Sequence, residues 1–336
     1  MKRSMPTRAF RTPPGGGTAR GTPPTFSVVI AARDAANSIS EAVESALTQT
    51  VPPLEVIVSD DGSIDGTAEV LAPFRNRITY LRNEHGGVAA ARNAAVEVAR
   101  GEFFAVLDAD DRYLAERLEA LGELAMARPD LDVLCTDALL EHEGQVVGTF
   151  SEDCPFAVED QRAAILERCF CAWPAIRRTT LVAAGGFDES LRTGSDWECA
   201  IRLLFSGALA GLVDAPLYSY VVHDLSLTAD RVRTLNDRVS FLERAGRSYE
   251  LGPNERTGLS RSLTRQRAAL VLTEAEAALR GQTPDARSRA LTAARSPGVA
   301  MRSRLAAAAA VIAPRTAARA LARSRHSRLG RSIPRR

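Results

Sequence analysis

From Phe26 onward, short continuous apolar runs alternate with segments of helical spacing. Phe26 to Ala32 predicts a strand, Ser38 to Leu47 a helix, Leu54 to Val58 a second strand, and a helix opens near Asp65. Ile78 to Leu81 predicts a third strand, Val88 to Ala99 a helix and Phe103 to Leu107 a fourth strand. Apolar strands separated by helices imply an α/β fold in which a mostly parallel, Rossmann-like sheet is flanked by helices, with ligands at the carboxyl ends of the strands. The polar clusters fall at those ends: Asp34, then Asp60 with Asp61, then Asp108 with Asp110.

The second half is less regular. Arg117 to Ala127 predicts a helix and Val133 to Thr136 a short strand, whereas residues 141 to 175 fit no single period. A helix near Leu181 stops at Gly185-Gly186, and Trp197 to Phe205 predicts another. Beyond Asp230 the Arg-, Ala- and Leu-rich segments predict helices broken at Gly252-Pro253, Pro284, Pro297 and Pro314.

Charge sharpens this division. The formal net charge of +2 hides +5 over residues 1–24 and +12 over residues 285–336, which leaves the body between them near −15. The expected organisation is a disordered leader over 1–24, a catalytic domain over 25–229, a helical extension over 230–284 and a basic Arg/Ala-rich tail over 285–336. No apolar run reaches the ~18 residues of a membrane span, and Pro and Gly follow the basic N-terminus where a signal peptide needs an apolar core. These features predict a cytoplasmic protein. The tail leaves open peripheral contact with anionic lipid at the inner membrane face or simple solvation, and no specific nucleic-acid partner is expected. Five cysteines without paired CxxC spacing predict buried free thiols rather than disulfides or a zinc site.

The chemistry concentrates at the strand ends. Asp108-Ala109-Asp110 places two carboxylates where they can reach a ribose and a hard divalent cation together, and Mg²⁺ or Mn²⁺ takes one or two carboxylates plus diphosphate oxygens. Asp60-Asp61-Gly62-Ser63-Ile64-Asp65 ends the second strand in a tight turn: Asp65 has the character of a cap, and Asp60 or Asp61 that of a nucleoside ligand. In Gly86-Gly87-Val88-Ala89-Ala90-Ala91-Arg92-Asn93, the glycines permit close backbone approach to a ligand and Arg92 would point toward a nucleotide.

These segments, in this order and together with Ser27 to Asp34, resemble family 2 glycosyltransferases of the GT-A fold over roughly residues 25 to 228. The resemblance implies nucleotide-sugar contacts from Ala32, Arg33, Asp34, Asp60, Asp61, Gly87, Arg92, Asp108 and Ala109, with Asp110 and Asp108 on the metal. It continues in Gly185-Gly186-Phe187-Asp188-Glu189 and in Gly194-Ser195-Asp196-Trp197-Glu198, which is similar to the family's Glu-Asp-Trp segment and makes Asp196 the counterpart of the catalytic base; Glu198 and Asp188 are its competitors. Tyr218 to Ser226 is similar to the family's Tyr-x-x-His segment, with His223 either a metal ligand or structural. Ala31 stands in place of the usual proline, Arg33-Asp34 where Tyr-Asn is common, and Ser195 where the glutamate before the base is usual.

The resemblance implies an inverting, metal-dependent transfer of a sugar from a UDP-, GDP- or dTDP-linked donor to a glycan or glycolipid acceptor in surface polysaccharide or glycolipid synthesis. The alternative is a nucleotide-sugar-binding protein with impaired catalysis. A nucleotidyltransferase would carry a basic Gly-rich loop after the first strand, yet Lys2 is the single lysine of the chain. A processive membrane synthase would carry spanning helices and a Gln-x-x-Arg-Trp segment, and neither occurs.

Overall fold

The computed structural model describes residues 9–13, 22–222, 231–281, 283–296 and 298–312. The chain forms two compact units, Met1–Val222 and His223–Arg336. The expected boundary at 229 falls in the segment 223–230, outside the described residues.

The first unit runs β1 (Phe10–Arg11), β2 (Phe26–Ala32), α1 (Ile39–Leu47), β3 (Glu55–Asp60), α2 (Thr67–Val70), β4 (Thr79–Arg82), α3 (Val88–Val98), β5 (Phe103–Asp108), β6 (Arg112–Tyr113) and α4 (Arg117–Ala127). It continues with β7 (Val133–His142), β8 (Gln145–Thr149), α5 (Phe150–Asp153), α6 (Gln161–Glu167), β9 (Ala175–Arg177), α7 (Arg178–Ala183), α8 (Ser195–Phe205) and β10 (Ala210–Val221). The strands make one sheet in the order β1-β10-β7-β9-β5-β2-β3-β4, with β6 on β10 and β8 on β7.

The half from β5 to β4 is parallel, as the apolar runs implied: β2 pairs in parallel with β3 and β5, and β3 with β4. The other half is mixed. β9 inserts antiparallel between β5 and β7, while β7 and β10 run parallel to each other. Val28, Ile30, Val56, Val58, Phe103, Ala105 and Leu107 are almost wholly buried, because helices cover the strands. Removing one such side chain down to alanine costs about 2–5 kcal/mol, so the β2-β3-β5 strand ends form a firm base for whatever projects from them.

Within the segment expected to be a disordered leader, Phe10–Arg11 instead adds an edge strand to β10, and Arg11 pairs with Asp214 at 2.8 Å. The second unit holds α9 (Arg231–Ser248), α10 (Pro253–Gly281), α11 (Ala286–Arg295) and α12 (Met301–Ile312). Helix α10 starts at Pro253, the first helical position that proline tolerates. Ala275, Ala278 and Leu279 of α10 pack with Ala286, Ala290 and Ala293 of α11 and Ala307 and Ala310 of α12. The first part of the basic tail is therefore a packed pair of helices.

Candidate active site

Asp108 closes β5 and is gripped from two sides. One carboxylate oxygen accepts from the Arg92 guanidinium at 2.8 Å and the other from the indole N–H of Trp173 at 3.1 Å. Arg92 is 7% exposed and its guanidinium also lies 5.5 Å from the Phe187 ring centroid. Ala109 is half-buried and Asp110 exposed, so the Asp-x-Asp pair presents one braced carboxylate and one outward-facing carboxylate. Asp111, the next residue, turns inward: it is 1% exposed and accepts from the Tyr218 hydroxyl and the Val221 amide, both at 2.8 Å. Burial first, then the neighbouring charge of Asp108, pushes its pKa up to about 8. Tyr218 in turn accepts from the Asp108 amide at 3.2 Å, tying the end of β5 to β10.

The first two strand ends form a second cluster. Asp60 is fully buried and accepts from the Ser63 amide, the Tyr80 hydroxyl and Arg82. Burial alone would raise its pKa, but these hydrogen bonds and the Arg82 charge outweigh it and hold the carboxyl below its usual range. Asp61, 4% exposed, accepts from the Gly86 and Gly87 amides at 2.8 and 3.0 Å and meets His85 Nδ1 at 2.8 Å. Its own amide donates to the carbonyl of the buried Ala32. The pair expected to reach a nucleoside directly thus braces the turn after β3 and the glycine loop that opens α3. Gly87 sits at φ +96°, where a side chain would be strained.

Arg33 donates to the Asp61 carbonyl, and Asp34 lies at φ +48° with its carboxylate on the Ile64 amide. Asp65 is not the cap expected of it: Gly66 occupies the N-cap of α2 with no side-chain cap hydrogen bond, and the Asp65 carboxylate instead braces the turn by accepting from the Ala36 amide and from the amide and hydroxyl of Thr67.

Asp196 lies on α8, and here one expectation needs correction. The helix starts at Ser195 after Gly194 in the left-handed region, not at Trp197, so Asp196 is a first-turn residue and not the N-cap. Its side chain is exposed while Ser195 is 1% exposed. The two competitors are engaged elsewhere. Glu198 is 7% exposed and chelates Arg202, which holds the Ala184 and Gly186 carbonyls; Asp188 accepts from the Ser190 amide and hydroxyl. Asn93 fixes the same turn through the Phe187 backbone and Glu189.

One pocket brings the halves together: Arg92, Asp108, Trp173, Phe187 and Asp196 line it, over a floor that includes Val106, Val133, Ile176 and Leu203. For a divalent cation the donor set fits one mode of binding. Among the described residues no group of three or more His, Cys, Asp or Glu side chains forms a cage, yet Mg²⁺ and Mn²⁺ need only one or two carboxylates when diphosphate oxygens complete the sphere, and Asp108 with the exposed Asp110 supplies that number. His223 lies outside the described residues.

The sequence pattern did not single out Trp173, Asp111 or Tyr218 as members of the site. Trp173 falls in the stretch of mixed period before the three-residue strand β9. Asp111 directly follows the Asp-x-Asp pair, but nothing in the sequence distinguishes its buried carboxylate from the exposed Asp110 beside it.

Residues 27–171 match the Glycosyl transferase family 2 model. The chain is 30% identical over 204 residues to "Chondroitin synthase" of Pasteurella multocida, covering 60% of this chain and 21% of that one. It is 31% identical over 225 residues to "Succinoglycan biosynthesis protein ExoO" of Rhizobium meliloti, covering 61% and 63%. It therefore spans less than two thirds of the length of these relatives. In fold it is similar to S. aureus TarS 1-349, solved in complex with UDP-GlcNAc (TM-score 0.61, 18% identity, 90% of this chain and 92% of that one). It is similar also to the mannosyltransferase PcManGT from Pyrobaculum calidifontis in complex with GDP-Man and Mn²⁺ (TM-score 0.56, 22% identity, 91% and 87%). The matched segment contains the strand ends that carry Asp61 and Asp108 and the helix that carries Arg92; over it the chain is similar to family 2 glycosyltransferases, and it shares the GT-A fold of these solved neighbours.

Proposed function

We propose that the chain transfers a sugar from a nucleotide diphosphate donor to an acceptor hydroxyl with inversion at the anomeric carbon, using Mg²⁺ or Mn²⁺. The observation that carries this is that Arg92 and Asp108, from the strand-end side, and Asp196 of α8 line one and the same pocket. Inversion needs the acceptor oxygen to attack from the face opposite the leaving diphosphate, so the base must lie across the sugar from the diphosphate site. Asp196 is the exposed carboxylate of that wall, and it takes the proton from the acceptor hydroxyl as the new bond forms. Arg92 fixes the orientation of Asp108, and Asp61 shapes the backbone loop over which the nucleotide approaches. Asp110 and Asp108 would hold the cation, which offsets charge on the departing diphosphate.

The neighbours solved with UDP-GlcNAc and with GDP-Man support a nucleotide-sugar donor, dTDP-sugars being the remaining class to test. The names of the relatives support a glycan or glycolipid acceptor in surface polysaccharide synthesis. The test is a panel of UDP-, GDP- and dTDP-sugars with Mn²⁺ or Mg²⁺, following donor hydrolysis without acceptor. One donor class should turn over and excess EDTA should abolish turnover. Binding without turnover under every condition would favour an impaired nucleotide-sugar-binding protein, and full activity in EDTA would remove the metal from the scheme.

A further inference from the structure

Trp173 is held in place more tightly than a loop residue ordinarily is. Its φ of +45° is in the left-handed region, which a bulky side chain seldom adopts and which persists only where the surroundings impose it. Those surroundings are explicit. The buried Arg117 donates to the Trp173 carbonyl at 2.6 Å, and the indole stacks on Tyr218 at 4.7 Å and 20°. It leans on Tyr220 at 4.9 Å and meets Phe150 edge-on at 5.3 Å. Tyr218 and Tyr220 are two apart on β10 and so share one face of the strand; the indole spans both. Its N–H reaches the Asp108 carboxylate, and its remaining surface lines the pocket between Asp108 and Asp196.

We propose that Trp173 contacts the ring of the transferred sugar and helps set which sugar the donor may carry, an inference that rests on the function proposed above. A pyranose presents one face of C–H groups and an equatorial rim of hydroxyls. An aromatic plane suits the first, and an indole N–H bonded to Asp108 fixes that plane relative to the diphosphate site. The apolar floor of Val106, Val133, Ile176 and Leu203 is poor company for phosphate and good company for the ring carbons. Asp108 and Asp196 line the same pocket as Trp173, a cavity of about 20 Å³ that must widen to admit a sugar ring, and on the function proposed above the group beside the indole is the one being transferred. The strain at Trp173 and the Arg117 brace hold the indole before any ligand arrives.

The test uses the full chain with UDP, GDP and dTDP, and with UDP-GlcNAc, UDP-glucose and GDP-mannose, each in Mn²⁺. Trp173 and Trp197 are the only tryptophans, and Trp197 is buried with its N–H on the Ile165 carbonyl, so a change in emission on adding ligand reports chiefly on Trp173. The nucleotide sugar should change emission beyond the free nucleoside diphosphate in the wild type, and this extra change should vanish in Trp173→Phe. Trp173→Ala should weaken the nucleotide sugar on the order of tenfold relative to its own diphosphate, leaving diphosphate affinity within about twofold, and Trp173→Phe should alter the ranking of sugars even if the alanine variant does not fold. If the wild type binds these ligands and both the affinity ratio and the sugar ranking survive the substitutions, the inference fails while the function stands. If the wild type binds neither diphosphates nor nucleotide sugars, the proposed function fails and this inference with it.

Discussion

Asp196 and Glu198 are two residues apart on one helical turn, yet they differ in what they can do. Asp196 is exposed at the pocket wall, whereas Glu198 is buried in a chelate with Arg202 that supports the Gly185-Gly186 turn. Asp196→Asn keeps the side-chain shape, so it should bind donor as the wild type does and lose transfer by a factor on the order of 10² to 10⁴, read as kcat with saturating acceptor. Transfer within a few-fold of wild type would dismiss Asp196 as the base, and loss of donor binding would put it in the nucleotide site. Asp60 gives a stability counterpart. Its folded pKa is depressed, so its contribution is present above the unfolded carboxylate range near pH ~4 and is lost as pH falls through the lower folded value. Asp60→Asn should lower the thermal midpoint at pH 7, and the gap to wild type should narrow toward pH 3. An unchanged gap across that range would mean that the Ser63, Tyr80 and Arg82 bonds do not favour the ionised form.

At the level of elements, what could be read ahead and what could not divides along the sheet. Strands β2 and β5 and helices α1, α3 and α4 follow the expected bounds within a residue or two because buried parallel strands are continuous apolar runs and the helices between them bury a periodic apolar face against the sheet. The 141–175 stretch resisted because its elements are short or contingent: β8 is an edge strand in a hairpin with β7, α5 spans four residues, and β9 spans three and exists only through β5 and β7, far along the chain. Strand β10 was not expected, since Asp214 and Pro216 interrupt its pattern where the register against β7 shifts. The site inherits this split: Asp108, Arg92 and Asp61 were legible from motifs, Tyr218 only as the start of the Tyr-x-x-His segment and not as a partner of Asp108 and Asp111, and Trp173 not at all.

The loop between β4 and α3 is the element-scale test. Asp61 satisfies the Gly86 and Gly87 amides at the start of α3, which carries Arg92 to Asp108. Asp61→Ala leaves these donors without their acceptor and should cost about 1–3 kcal/mol of unfolding free energy, with a parallel rise in the nucleoside diphosphate Kd. A variant of wild-type stability and affinity would show that the loop holds its shape without the carboxylate.

At the scale of the whole molecule, charge is distributed in a way that folding alone does not require. Helices α11 and α12 belong to the packed second unit through their alanines, so the question of a basic tail narrows to the chain beyond Ile312, where the sequence carries eight arginines and no acidic residue. Among the described residues no helix is long and apolar enough to cross a membrane. Attraction of those arginines to anionic lipid would amount to about 1 kcal/mol each near the surface and would fade as the Debye length shrinks to ~8 Å at physiological salt. We expect the full chain to sediment with phosphatidylserine-containing vesicles at low ionic strength and to be released as salt rises. A chain ending at residue 312 should stay in the supernatant with its donor hydrolysis unchanged, because the cut follows α12, the last helix among the described residues, and removes none of the candidate active-site residues. Equal sedimentation of the two proteins would assign the arginines to solvation alone, and loss of donor hydrolysis on truncation would show that the segment serves the active site instead.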